Sequence, residues 1–200
     1  EVSGKTIGIV GFGTIGRLFA ERARGLKMRV IGFDPFVTEA TFAEHGVEKV
    51  DLDTLVTTSD FITLHCPVTK DTRGLLSRER LQSMKKGARL INCARGGLVD
   101  EAALIELVAS GHLAGAALDV FEEEPPPADS PLFKQAGIQF TPHLGASTEE
   151  AQIAVGIEIA HQIAAFLIRG EVINSVNVPS MAPDKLAKLS PYMDLARKLG

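Results

Sequence analysis

Tryptophan is absent, tyrosine occurs once, and aromatics make up only 6% of the 200 residues. Proteins that hold single-stranded nucleic acid stack bases on aromatic platforms above a basic groove. With a formal net charge of −4 this chain shows neither, so no nucleic-acid partner is expected. Cysteine is scarce as well. Cys66 and Cys93 cannot staple a domain of this size and lack paired metal-ligand spacing. They read as buried small side chains, reduced, in a cytosolic protein, and no metal site is expected. Long apolar runs are missing: no segment is read as reaching the roughly 20 residues of a membrane span. Glu1–Val10 carries no basic-then-apolar leader, and no membrane partner is expected. The 19 Gly and 10 Pro fall short of low complexity, and 45% hydrophobic residues suffice for one sizeable core.

Short apolar runs alternate with longer amphipathic stretches. Lys5–Val10, Arg29–Phe33, Phe61–His65, Arg89–Cys93, Gly115–Asp119 and Ile138–Thr141 read as strands. Thr14–Gly25, Leu52–Thr58, Ser77–Met84 and Asp100–Ser110 read as helices between them. Near-continuous hydrophobicity in strands that alternate with helices predicts an α/β domain, a doubly wound parallel sheet covered on both faces. Ser147-Thr-Glu-Glu150 reads as a capping box. It opens a long helix, Ala151–Ile168, whose polar breaks suit burial against its own domain or a partner rather than a bilayer. Gly170 is its expected stop. A short helix is expected near Met193–Leu199. The expected division is a dinucleotide-binding domain over 1–173 and a tail over 174–200 that leads to a further domain.

Gly11-Phe-Gly13-Thr-Ile-Gly16 follows a strand and opens a helix. The first glycine permits the tight turn. The second lets backbone approach a pyrophosphate, and the third lets helix and strand pack closely. Unpaired N–H groups at the helix start suit phosphate. Asp34, at the end of the second strand and 18 residues after Gly16, is placed to accept hydrogen bonds from a ribose. Its charge repels a 2′-phosphate, so the expected cofactor is NAD, not NADP. A second constellation lies at or beyond strand ends: Arg95, Glu124 and His143. An Arg fork binds a carboxylate and polarises the adjacent carbonyl. A His moves a hydroxyl proton near neutral pH, and a carboxylate on its other ring nitrogen orients it. These groups suit carbonyl–alcohol redox chemistry. His65 reads as structural support, Asp100 as a helix cap, and His45, His112 and His161 as surface or packing residues.

Five stretches, in order, carry a resemblance: Gly11–Gly16, His65-Cys-Pro67, Asn92-Cys-Ala-Arg-Gly-Gly-Leu-Val-Asp100, Gly115-Ala-Ala-Leu-Asp-Val-Phe121 and Pro142-His-Leu-Gly-Ala146. The chain resembles the cofactor-binding, Rossmann-type domain of the D-2-hydroxyacid dehydrogenase family. The tail from Val176 to Gly200 resembles members that oxidise 3-phosphoglycerate and carry extra C-terminal domains. The resemblance implies that Arg95 holds the substrate carboxylate, that His143 is the acid–base residue and that Glu124, the acid directly before proline, is its partner. It assigns Thr14 and Ile15 to the pyrophosphate, and Cys66 and Pro67 to the adenosine side. Cys93, Ala94 and Asp119 fall around the nicotinamide carboxamide, with Gly145 and Ala146 nearby; Asp119 serves either the carboxamide or only local hydrogen bonding. It implies a small 2-hydroxy acid as substrate, a homodimer or homotetramer, and a chain that lacks the N-terminal part of the substrate domain. Two alternatives stand beside this: another 2-hydroxyacid enzyme such as a glyoxylate or hydroxypyruvate reductase, and an NAD-sensing, corepressor-like binding protein.

Overall fold

The computed structural model describes residues 1–177 together with 189, 191–193, 195, 196, 198 and 199. Seven strands form one parallel sheet: β1 Thr6–Val10, β2 Arg29–Phe33, β3 Glu48–Lys49, β4 Phe61–Leu64, β5 Arg89–Asn92, β6 Gly115–Leu118 and β7 Ile138–Phe140. Their order is β3-β2-β1-β4-β5-β6-β7. The chain builds outward from β1 in one direction, then returns to build outward in the other. That reversal leaves a crevice between β1 and β4 at the carboxyl edge, where open α/β sheets bind ligands.

Within residues 1–177 six helices connect or follow the strands: α1 Thr14–Gly25, α2 Glu39–Glu44, α3 Leu52–Thr58, α4 Arg78–Ser83, α5 Glu101–Ala109 and α6 Glu149–Arg169. A 3₁₀ turn spans Pro131–Lys134. Caps fix several helix starts. Asp51 accepts from the Thr54 N–H and Asp100 from the Ala103 N–H, both at 2.8 Å. The cap expected at Asp100 is therefore present. The short pair α2 and β3 escaped the sequence reading. At six and two residues they carry too few positions for a periodicity, although Thr38 caps α2 through the Thr41 N–H.

Alternation along the strands sorts the core onto two faces. Val10, Ile31, Ile62, Leu64, Leu90, Leu118 and Ile138 pack with residues of α3, α4 and α5. Ile7, Ile9 and Val30 pack with Ala20 and Ala23 of α1 and Phe42 of α2. On the first face cover spans β1, β4, β5 and β6 and stops at β7, where Phe140, in register with Leu118, is exposed. On the second, β5, β6 and β7 leave Ile91 and Ala117 half-buried and Gln139 exposed, in a shallow depression of about 380 Å³. Helices thus flank both faces of the parallel sheet, as expected, and on the second face they pack over β1 and β2.

The chain divides into two compact units, Glu1–Gly145 and Ala146–Gly200. The second contains α6, which the sequence reading kept in one module through residue 173. Thr148, not Ser147, caps α6 by accepting the Ala151 N–H at 3.2 Å. Gly170 ends it in the left-handed region (φ +67°), as expected. Of the two alternatives expected for α6, burial within its own chain is limited to one residue, which leaves burial against a partner. Among its residues only Ala165 is buried, while Ile153, Ile157, Ile163 and Phe166 are exposed. One expectation is corrected: by length and composition alone, α6 is long and apolar enough to cross a membrane. The short C-terminal helix is helical at each described position from 191 to 199. The expected irregular segment around Pro179 and Pro183 lies outside the described residues.

Candidate active site

The loop after β1 shows what each glycine of Gly11–Gly16 is for. Gly11 has φ +92°, and a Cβ there would lie 2.7 Å from the backbone of His65 at the end of β4. Two loops across the crevice thus touch, and only glycine fits both the conformation and the space. A Cβ at Gly16 would collide with the Gly11 carbonyl oxygen, so α1 sits directly on the turn. Gly13 differs: nothing lies within 4 Å of its Cβ position. The space above it is open. α1 starts there with no side-chain cap and no acidic residue in its first turn. Helix-start N–H groups without a cap and without a competing carboxylate fit an anion. Thr14 and Ile15 occupy this first turn.

Phe12, between the first two glycines, is fully buried and stacks on Phe42 of α2 at 4.1 Å. Asp34 follows β2. Its carboxylate accepts the Phe12 N–H and the Phe36 N–H, both at 2.9 Å. A carboxylate offers about four acceptor positions, so Asp34 ties the turn to β2 and retains capacity for a ribose hydroxyl. Gly11, Gly13, Asp34, Phe36, Cys66 and Pro67 border one cleft of about 480 Å³. These residues fit the NAD end that the motif predicts. Cys66 is half-buried; burial, then the Asp34 charge, pushes its thiol up, so it stays protonated. His65 bonds Thr63 Oγ1 at 3.1 Å, and burial pushes its pKa down. That suits structural support.

The redox constellation is assembled by the loops after β5, β6 and β7. His143 Nδ1 and Glu124 Oε2 are 2.7 Å apart, and Glu124 Oε1 accepts the Phe121 N–H at 3.0 Å. The His143 hydrogen bond, then the Phe121 N–H, holds the Glu124 carboxyl below the usual range, with Arg95 adding to the effect. An ionised Glu124 can only accept, so Nδ1 carries the proton and Nε2 is left as the basic position. Arg95 is exposed, with Nη1 donating to the Ala94 carbonyl at 2.6 Å. Gly96 explains why Arg95 lies near Glu124. A Cβ at Gly96 would overlap the Phe121 carbonyl, so the two loops meet without a side chain between them.

His143 has φ +54°, a conformation that non-glycine residues rarely adopt. Asp119 secures it. Buried at the end of β6, its carboxylate accepts from Thr141 Oγ1 at 2.5 Å, the Leu144 N–H at 2.8 Å and the Gly145 N–H at 2.9 Å. Burial raises its pKa, but these three donors outweigh it and the pKa is lowered overall. Of the two roles expected for Asp119, the structure displays the local hydrogen bonding. Asn92, which the sequence reading did not single out, is a second buried anchor. Its Oδ1 accepts the Ala94 N–H at 3.1 Å and its Nδ2 donates to the Arg95 carbonyl at 3.0 Å. An asparagine ending an otherwise apolar strand was the available signal.

Cys93 corrects an expectation. It is exposed, beside Asp119 in a depression of about 460 Å³, rather than buried. Desolvation, then the Asp119 charge, nevertheless raises its pKa. Ala146 falls in the second unit, where its carbonyl accepts from Gln152 Nε2 at 2.8 Å. No group of metal-binding side chains occurs among the described residues.

Comparison with known proteins gives the arrangement a lineage. Residues 1–145 match the model of the D-isomer specific 2-hydroxyacid dehydrogenase NAD-binding domain. The D-3-phosphoglycerate dehydrogenase of Bacillus subtilis is 48% identical over 200 residues, and that of Methanocaldococcus jannaschii 50% over 202. Each alignment covers 100% of this chain and 38% of the relative. The chain therefore spans well under half the length of these relatives. Among solved structures, the NAD-dependent formate dehydrogenase of Staphylococcus aureus in complex with NAD superposes with a TM-score of 0.80 at 36% identity. That match covers 90% of this chain and 54% of the other. A glycine turn, an aspartate bordering the same cleft and a carboxyl-edge His–Glu pair thus occur in a chain that belongs to the D-isomer specific 2-hydroxyacid dehydrogenase family, as its NAD-binding domain.

Proposed function

We propose that this chain is the NAD-binding portion of a D-3-phosphoglycerate dehydrogenase, which oxidises 3-phosphoglycerate to 3-phosphohydroxypyruvate for serine biosynthesis. The His143–Glu124 pair beside Arg95 carries the reading. The N–H groups at the start of α1 and the Asp34 carboxylate would hold NAD⁺, which when bound would supply the hydride acceptor. The remaining chemistry belongs to the protein. Arg95 grips the carboxylate and holds the C2 oxygen. His143 Nε2 takes the hydroxyl proton as the C2–H bond breaks, and Glu124 stabilises the imidazolium that results. In the oxidation direction His143 must begin neutral, since only a free Nε2 can take the hydroxyl proton.

The substrate assignment is supported by the relatives' names. The test is a panel of D-2-hydroxy acids with NAD, using protein of the relatives' full length that contains this chain. The expected order places 3-phosphoglycerate first in kcat/KM, and His143→Ala lowers kcat by about 10²- to 10⁴-fold. Preference for glyoxylate or hydroxypyruvate would reassign the substrate, and near-full activity in His143→Ala would remove the mechanism. The 200-residue chain by itself is expected to bind NAD and turn over slowly. Arg95 and His143 both face solvent in it, and water weakens every electrostatic contact to the substrate. Two unpaired thiols support a cytosolic location. The exposed apolar residues of α6 support a homodimer or homotetramer, to be checked by sedimentation.

A further inference from the structure

We infer that Glu101 is a positioning residue. From the first turn of α5 it grips the Phe121–Glu122 peptide and so fixes the loop that carries Glu124 to His143. The inference rests on the dehydrogenase reading above. Three observations carry it. The Glu122 N–H donates to Glu101 Oε1 at 2.6 Å, joining residues 21 positions apart. The neighbouring N–H, that of Phe121, donates to Glu124 itself. The same peptide is held from its other end, because its carbonyl lies where a Cβ on Gly96 would be. One peptide unit is therefore clamped between α5 and the Arg95–Gly96 turn, and Glu124 leaves it three residues later.

Glu101 has no other evident task at the helix start. Asp100 already caps α5 through the Ala103 N–H. An acid in a first turn gains a little from the helix dipole, and that needs no contact across to another loop. The charged groups facing Glu101 are Glu122 and Glu124 of the loop after β6. Beyond Glu124 stand His143 and Arg95. Burial, then repulsion from these two acids, pushes the Glu101 carboxyl up, against the Glu122 N–H, which favours the charged form. The residue thus sits where its charge is disfavoured, and the bond to the loop is what it makes there.

The test is NMR titration of the 200-residue chain in four forms: wild type, Glu101→Ala, Glu101→Gln and Glu124→Gln. In wild type the Glu122 amide proton is expected far downfield and moves upfield as Glu101 is protonated. Glu101→Ala removes the downfield position and moves the His143 Nδ1 proton resonance upfield, toward its position in Glu124→Gln, as the hydrogen bond to Glu124 loosens. Glu101→Gln keeps an acceptor of the same shape. It is expected to restore most of the Nδ1 proton position while the Glu122 amide ceases to titrate. A Glu122 amide that still titrates in Glu101→Gln overturns the clamp, even where Glu101→Ala fails to fold. So does an Nδ1 proton resonance in Glu101→Ala that matches wild type while Glu124→Gln moves it; that result leaves the His143–Glu124 pair standing. An unmoved Nδ1 resonance in Glu124→Gln rejects the pair, and the inference falls with it.

Discussion

Asp34 and Asp119 both end strands, both accept backbone N–H groups, and differ in what remains. Asp34 has two protein donors and keeps acceptor capacity toward the cleft. Asp119 has three and is buried. Spacing after the second strand is enough to place Asp34 at the cleft. Its grip on Phe12 was not legible, because a hydrogen bond across 22 positions depends on how two loops meet. Replacing Asp34 by Ser should weaken NADH binding by about ten- to hundredfold, the value of a charged hydrogen bond. It should also remove the repulsion that excludes NADPH. Parallel fluorescence titrations with both nucleotides check this, and an unchanged preference between them would remove Asp34 from the ribose site. Asp119→Asn should cost about 1–3 kcal/mol, since one buried donor loses its acceptor. The pH dependence follows from the sign of its shift. The native pKa lies below the ordinary 3.8, so the stabilisation is fully present above that value and is lost as pH falls through the native pKa. The stability gap between wild type and Asp119→Asn, from urea unfolding, should stay constant from about pH 8 to about pH 5 and narrow only below about pH 4. A gap that changes near neutrality would place the effect on His143 instead.

At the scale of elements, the β1–turn–α1 unit separates folding from binding within six residues. Gly16 is needed for packing, since its Cβ would collide with Gly11. Gly13 has extended backbone (φ −73°, ψ −164°) that alanine also adopts, and open space where the Cβ would go. Gly13→Ala should therefore melt with the wild type yet lose about ten- to hundredfold in NAD affinity, because the methyl group holds phosphates off the N–H groups. Gly16→Ala should cost about 1–3 kcal/mol of stability through overpacking. Thermal melts paired with calorimetric NAD titration check both, and a destabilised Gly13→Ala would mean that this glycine serves the fold. The unit was legible because each glycine has a local reason. α2 was not, although its Phe42 stacks under Phe12 and so supports the cradle from below. Six residues hold less than two turns, and what fixes α2 is that distant ring. The start of α6 shows a similar limit. Ser147, three residues before Glu150, fits the capping box and Thr148, three before Ala151, does not, yet the backbone gives the cap to Thr148.

For the molecule as a whole, the strand order places every proposed site loop on one edge of one sheet, and the material that holds this edge is unevenly distributed. Both core clusters lie between Ile7 and Ile138. The last ligand of the Asp119 clamp is the Gly145 N–H. The unit boundary and the end of the family match both fall at that same residue. The cradle, the Asp34 tie, the His143–Glu124 pair and the Glu101 contact are all inside this unit. The expected domain runs to residue 173 and so includes α6. Apolar composition shows that a helix needs cover and says nothing about where the cover comes from. A chain of residues 1–145 should therefore unfold cooperatively and bind NAD within about threefold of the 200-residue chain, roughly 0.7 kcal/mol. Removing α6 also removes Ile153, Ile157, Ile163 and Phe166 from solvent contact, so the shorter chain should be the more soluble of the two. Calorimetric titration and light scattering on both chains check this. A loss of NAD affinity beyond tenfold in the shorter chain would show that the fold, despite its self-contained core, depends on the residues after Gly145.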